Sequence, residues 1–205
     1  METIFEAFCV LFVVLGPIDN AAAFAALTKD FEAAQRRKTA LKSVLVSTLV
    51  MVVFAIFGDD ILHLIGVEIY SLQIAGGILL LLAAIQMVMA ETEAEKDSHA
   101  GGTTKDIAVF PMAMPLIAGP DAIVSIVMLV SKAGPTLSYQ VGVIAVMLIV
   151  LVLVYLALLA SGLLVRLLGS QGIEIISRVL GLLLAALAVE FIIEGLQASK
   201  LFAGG

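Results

Sequence analysis

Two aspartates stand where a carboxylate is costly. Asp19 lies in "VLGPIDNAAAF" (14–24) and Asp121 in "LIAGPDAIVSI" (116–126), both inside long apolar stretches. A carboxylate at the centre of a membrane helix costs ~2.5–3.5 kcal/mol on insertion scales and is rarely idle. Each aspartate follows a Gly-Pro pair, Gly16-Pro17 and Gly119-Pro120, and Asn20 adds an amide to the first. Proline removes a backbone donor and crowds the preceding turn, while glycine tolerates unusual dihedrals, so each pair is expected to interrupt its helix. In hydrocarbon the freed N–H and C=O groups need partners, so such breaks survive only when buried in protein or lining a wet cavity.

A break also creates a binding geometry. The half-helix that begins after it presents free N–H groups and a positive dipole end, which suit a carboxylate. The half-helix that ends before it presents carbonyls, which suit an ammonium group or a cation. Two such breaks facing each other would hold a zwitterion end to end. The expected substrate site is therefore Gly16, Pro17, Asp19, Asn20, Gly119, Pro120 and Asp121. Asp19 and Asp121 either bind a coupling sodium ion or proton or cap the half-helices they open. Asn20 either reaches the ligand or satisfies the break. Glu190, one helical turn before Glu194, lies deeper in the last apolar segment and is the third candidate to carry a proton or pair with a base. Glu194 is expected to be solvated, and Arg178 to snorkel or to pair with Glu174.

Other chemistries use the same residues. Asp19, Asp121 and Glu190 could offer oxygens to a divalent cation awaiting export. Two aspartates sharing a proton would suit an intramembrane protease, but the Gly-x-Gly-Asp context is missing. A scaffold without transport would rest on the Gly76-Gly77 face alone. His63 and His99 show no zinc-ligand spacing, so no metal site and no resident cofactor are expected. No G-x-x-x-x-G-K-[ST] occurs, which leaves transport secondary.

The elements that must position these groups follow from composition. Of 205 residues, 62% are hydrophobic and 14% charged, with mean hydropathy +1.18. Soluble domains are roughly 45–50% apolar, so the chain reads as a polytopic all-α membrane protein with the lipid bilayer as its solvent. Cys9 has no partner for a disulfide. The modest charge of -6 sits in short loops and points to no nucleic acid. No small-residue cleavage pattern follows the first apolar segment, so it is expected to be retained. About 20 apolar residues cross a bilayer, and six segments qualify: 4–27, 41–57, 67–90, 107–131, 138–165 and 173–197. Nine of the eleven lysines and arginines fall after the first, third and fifth segments or just inside the sixth. The excess of basic residues places those loops in the cytoplasm and both termini outside. The polar stretch 91–106 reads as a cytoplasmic linker between residues 1–90 and 107–205.

Those two halves resemble each other. "IGVEIYSLQIAGGILLLLAAIQ" (65–86) parallels "QGIEIISRVLGLLLAALAVEF" (171–191), pairing Glu68 with Glu174 and Ser71 with Ser177. "LGPIDNAAAF" parallels "AGPDAIVSI". Three spans per half is odd, so the second half must be inserted upside down. Inverted repeats with interrupted helices near the midplane are a mark of secondary transporters. The expectation is six spans in two inverted three-helix repeats, with the first and fourth broken and their breaks facing. Solute, coupling ion, direction and assembly into oligomers stay open.

"FPMAMPLIAGPDAI" (110–123), "IAGGILL" (74–80) and "GIEIISRVLGLLLAALAVEFIIEG" (172–195) resemble the MarC family of integral membrane proteins, within the LysE-type transporter superfamily. The likeness runs along the whole chain. It implies transport of small neutral amino acids such as glycine and alanine, coupled to a cation or proton, across the inner or plasma membrane. It also implies a site at Gly16, Pro17, Asn20, Gly119 and Pro120. The chain departs from the family pattern in four places. Gly16-Pro17 stands for Asn-Pro, Asp121 for a glycine, Gln73 for an arginine and Glu190 for a glutamine. The presumed site thereby gains acids and loses a base.

Overall fold

The computed structural model describes residues 2–28, 30–89, 107–132 and 137–199. The expected linker 91–106 lies outside them, as do Lys29, His99 and Lys200. Among the described residues every regular element is helical: α1 (Glu2–Leu15), α2 (Pro17–Leu27), α3 (Ala33–Ile65), α4 (Ile69–Met89), α5 (Ala108–Ile117), α6 (Pro120–Lys132), α7 (Leu137–Leu159) and α8 (Ser161–Ala198). Five helices are long and apolar enough to cross a membrane, and α5 with α6 makes a sixth span if the bent pair counts as one.

Several boundaries differ from the expected ones. α3 runs for 33 residues rather than over 41–57. Hydropathy marks only what lies in lipid, whereas the Ala, Gln, Arg and Lys residues at its start are good helix formers in water too. At 1.5 Å per residue it is ~50 Å long and projects beyond the hydrocarbon. The fifth span stops at Leu159 instead of 165, and α8 starts at Ser161 with a kink at Gly169 (φ 65, ψ 174).

One face of α3 is rich in small residues. It buries Ala40, Ser43, Ser47, Ala55 and Gly58, along with Val44, Met51 and Leu62, while Leu45 and Leu49 face outward. That is the pattern of a helix whose solvent is as apolar as its side chains. α4 and α8 lie antiparallel along each other through small residues. A Cβ on Gly77 would stand 2.7 Å from Ala188 O, one on Gly195 2.9 Å from Tyr70 O, and one on Gly181 2.8 Å from Met87 Cβ.

The two interrupted spans also run antiparallel: α1 packs on α6, and α2 on α5. α7 covers α1 and α2, while α3 covers α5 and α6. α8 packs on α2 and α4 on α6. Leu11, Leu15, Met112, Ile126, Met128 and Met147 fill the centre.

Candidate functional site

Both expected interruptions are present, each with its own physical cause. Gly16 is left-handed (φ 43, ψ 63), a conformation that a side chain would strain. Pro17 then opens α2 at the position where a missing N–H costs nothing. α1 and α2 still form a single 24-residue span, Ile4–Leu27. The fourth span is bent by 52° between Ile117 and Pro120. Gly119 is required there by proximity, since a Cβ would lie 2.7 Å from Pro115 O and would collide with the Asp121 carboxylate.

Ahead of that bend α5 is itself irregular. Phe110 (φ -130, ψ 125) and Met114 (φ -131, ψ 125) are extended within it. Each precedes a proline, Pro111 or Pro115, whose ring drives the residue before it out of the helical region. The freed backbone finds partners: Ala118 N–H donates to Ala113 O at 2.9 Å, and Ser47 Oγ of α3 lies 3.3 Å from the same carbonyl, its one hydrogen shared with the nearer Ser43 O at 3.0 Å.

Asn20 does what a break demands. Its buried Nδ2 donates to Leu15 O at 2.7 Å, satisfying a carbonyl that α1 leaves free where it ends. Of the two roles expected for Asn20, the structure displays this one.

Asp19 sits in the first turn of α2, and its Oδ1 accepts a hydrogen bond from Ser177 Oγ on α8. Its Oδ2 is buried with no hydrogen-bond partner and lies beside the break, 3.3 Å from where a Cβ of Gly16 would stand. A buried, unpaired carboxylate oxygen at a helix interruption is a ready ligand for a cation, a proton or an ammonium group. Asp121 is placed differently. It lies in the first turn of α6, with its carboxylate folded back against Gly119. One turn later Ser125 Oγ is also buried without a partner.

The structure does not gather all the expected residues. With Oδ1 held by Ser177 and Oδ2 unpaired, Asp19 makes no hydrogen bond to Asp121, so the proton-sharing pair an aspartyl protease needs is missing. Glu190 is exposed on α8, beside exposed Val189, on a face turned outward. Among the described residues no three acids, histidines or cysteines come close enough to hold a metal, so the divalent site drawn from Asp19, Asp121 and Glu190 is not assembled. Arg178 pairs with Glu174 at 2.5 Å, as its spacing suggested. Glu194, expected to be solvated, is instead half-buried and paired with Lys132 at 2.5 Å. Lys132 ends α6, stands 4.0 Å from Glu6 of α1 and lies 5.5 Å from the Phe191 ring centre, so these charges tie three helix ends together.

Ser177 and Ser125 are the site residues that sequence reasoning passed over. Ser177 was marked only as a point of likeness between the halves. A hydroxyl in an otherwise apolar span is the signal that singles out both.

Comparison with known proteins agrees with the helical membrane architecture. The family described as MarC family integral membrane protein matches residues 1–199. A UPF0056 membrane protein of Archaeoglobus fulgidus is 36% identical over 200 residues, covering 96% of this chain and 93% of the relative. One from Methanocaldococcus jannaschii is 34% identical over 198 residues, covering 95% and 96%. The UPF0056 inner membrane protein YhgN of Escherichia coli is 30% identical over 198 residues, covering 96% and 98%. No solved structure matches.

Proposed function

Because this chain belongs to the MarC family of integral membrane proteins, we propose that it is a secondary transporter of small neutral amino acids of the glycine and alanine class. The observation that carries the reading is the pair of interruptions in neighbouring antiparallel spans, one of which holds the unpaired Asp19 Oδ2. An amino acid's ammonium group would take Asp19 and the carbonyl end of a half-helix. Its carboxylate would take the N–H end of a half-helix across the gap. In this reading Asp19 also carries the coupling sodium ion or proton, while Asp121 holds the start of α6. Gly16, Pro17, Gly119 and Pro120 would shape the opening between the breaks.

The reading includes two inverted three-helix repeats, 1–90 and 107–205, joined by the cytoplasmic linker 91–106. Its support is that exchanging the halves maps one set of packing partners onto another. α7 on α1 and α2 becomes α3 on α5 and α6, and α8 on α2 becomes α4 on α6. Alternating access then follows as rocking of one half against the other around the breaks. The basic residues after the first, third and fifth spans support an orientation with both termini on the extracytoplasmic side of the inner or plasma membrane.

Proteoliposomes that take up labelled glycine or alanine under an imposed proton or sodium gradient would bear this out. Uptake of neither under both gradients, with protein shown to be folded and inserted, would overturn the substrate assignment.

A further inference from the structure

Where α2 ends, α3 begins and α7 gives way to α8, the surface holds an open cavity of about 320 Å³. Its walls are Phe24, Ala33, Arg36, Arg37, Leu158 and Leu159. Arg36 is held in place: its Nη2 donates to Ser161 Oγ at 2.8 Å, and its guanidinium carbon lies 6.0 Å from the Phe24 ring centre. A guanidinium carries five N–H donors, and one is committed to Ser161. Arg37 is exposed on the same cavity. Asp30 and Glu32 precede α3 and are exposed, and among the described residues no ion pair neutralises either arginine.

Two unneutralised guanidiniums, one of them oriented, make an oxyanion site. What lies along the same helix face identifies the kind of anion. From Arg37 a ridge winds on at four-residue steps through Leu41, Leu45 and Leu49, which are 46%, 59% and 66% exposed. Lys38 and Lys42 are exposed beside it. A charged mouth at one end of α3 therefore leads into an apolar stripe that runs toward the middle of the span. A ligand matching both is amphiphilic, with a phosphate at one end and a hydrocarbon chain at the other. We propose that this cavity binds the headgroup phosphate of an anionic phospholipid from the adjacent leaflet, with an acyl chain laid along Leu41, Leu45 and Leu49. The bound lipid would bridge the start of α3 to the junction of α7 and α8. The proposal does not depend on what the protein transports.

The test is native mass spectrometry of the full-length protein in detergent, titrated with phosphatidylglycerol, phosphatidylcholine or glycerol phosphate. Phosphatidylglycerol should bind more tightly than phosphatidylcholine. Arg36→Gln and Arg37→Gln should each weaken it roughly fivefold, about the contribution of one basic residue at a membrane surface, and leave phosphatidylcholine unchanged. Arg37→Gln keeps the test decisive if loss of the Arg36–Ser161 bond disturbs folding. Equal affinity for both lipids, or full phosphatidylglycerol affinity in the folded variants, would overturn the proposal. Glycerol phosphate binding as tightly as the lipid would overturn the lipid assignment and leave a site for a soluble phosphate.

Discussion

Ser177 donates its hydroxyl hydrogen to Asp19 across 158 residues of sequence, tying the last helix to the first interruption. This one bond fixes which oxygen of Asp19 is occupied and which is left facing the break. Interhelical hydrogen bonds in membranes contribute about 1–2 kcal/mol in peptide systems. Ser177→Ala should therefore lower unfolding stability in detergent by roughly that amount. It should also weaken gradient-driven uptake more than gradient-free exchange, because Asp19 loses its orientation. Uptake and stability both unchanged would show that the bond positions nothing.

Asn20 offers a cleaner separation of structure from binding. Asn20→Ala leaves Leu15 O unpaired in the core, a loss of about 1–3 kcal/mol. Asn20→Asp, if ionised, has no N–H to donate and should fare no better, although it is nearly the same shape. Thermal unfolding of the two variants checks this directly. Variants as stable as the parent but deficient in uptake would instead make Asn20 a ligand contact.

The α4–α8 seam predicts a steep dependence on side-chain size. A Cβ on Gly77 would sit 2.6 Å from Ile192 Cγ1 and 2.7 Å from a backbone oxygen that has little room to move. Gly77→Ala should destabilise the protein by about 1–3 kcal/mol, the usual scale of overpacking. At Gly142 the nearest atom is the flexible end of Ile4, 3.3 Å away, so Gly142→Ala should be nearly neutral. Comparing the melting temperatures of the two variants isolates the seam from any general effect of adding a methyl group.

What was legible in the sequence depended on how local its cause is. The interruptions at Gly16-Pro17 and Gly119-Pro120 were readable because ring closure and the missing Cβ act on adjacent residues. The extended Phe110 and Met114 obey an equally local rule, the restriction on a residue before proline. The outward face of Glu190 was not readable. α8 is apolar nearly all round, so no polar stripe marks its inner side, and depth along a helix says nothing about direction. The Ser177–Asp19 bond and the Glu194–Lys132 pair join distant segments, and only packing decides such partners. The ends of α3 escaped for a different reason, since hydropathy reports the membrane and not the helix.

Asp19 and Asp121 follow the same dipeptide yet differ in their surroundings, and the last prediction rests on that difference. Asp121 stands in the first turn of its own helix, against Gly119. As the second residue of α6 its charge favours the positive helix end by about 0.3–1 kcal/mol, a loss small enough that Asp121→Asn should fold, take up substrate and still respond to an imposed gradient. Asp19 has one oxygen held by Ser177 and one with no partner. Asp19→Asn keeps an acceptor for Ser177 and so should also fold, but it removes the charge from the free side of the group. Substrate exchange without a gradient should then survive better than accumulation driven by one. Side-by-side uptake in proteoliposomes, with proton and sodium gradients imposed separately, reads both variants. If Asp121→Asn loses gradient dependence while Asp19→Asn keeps it, the two roles are reversed. If both variants keep it, neither aspartate carries the coupling ion, and the unpaired oxygen at the first break serves the substrate alone.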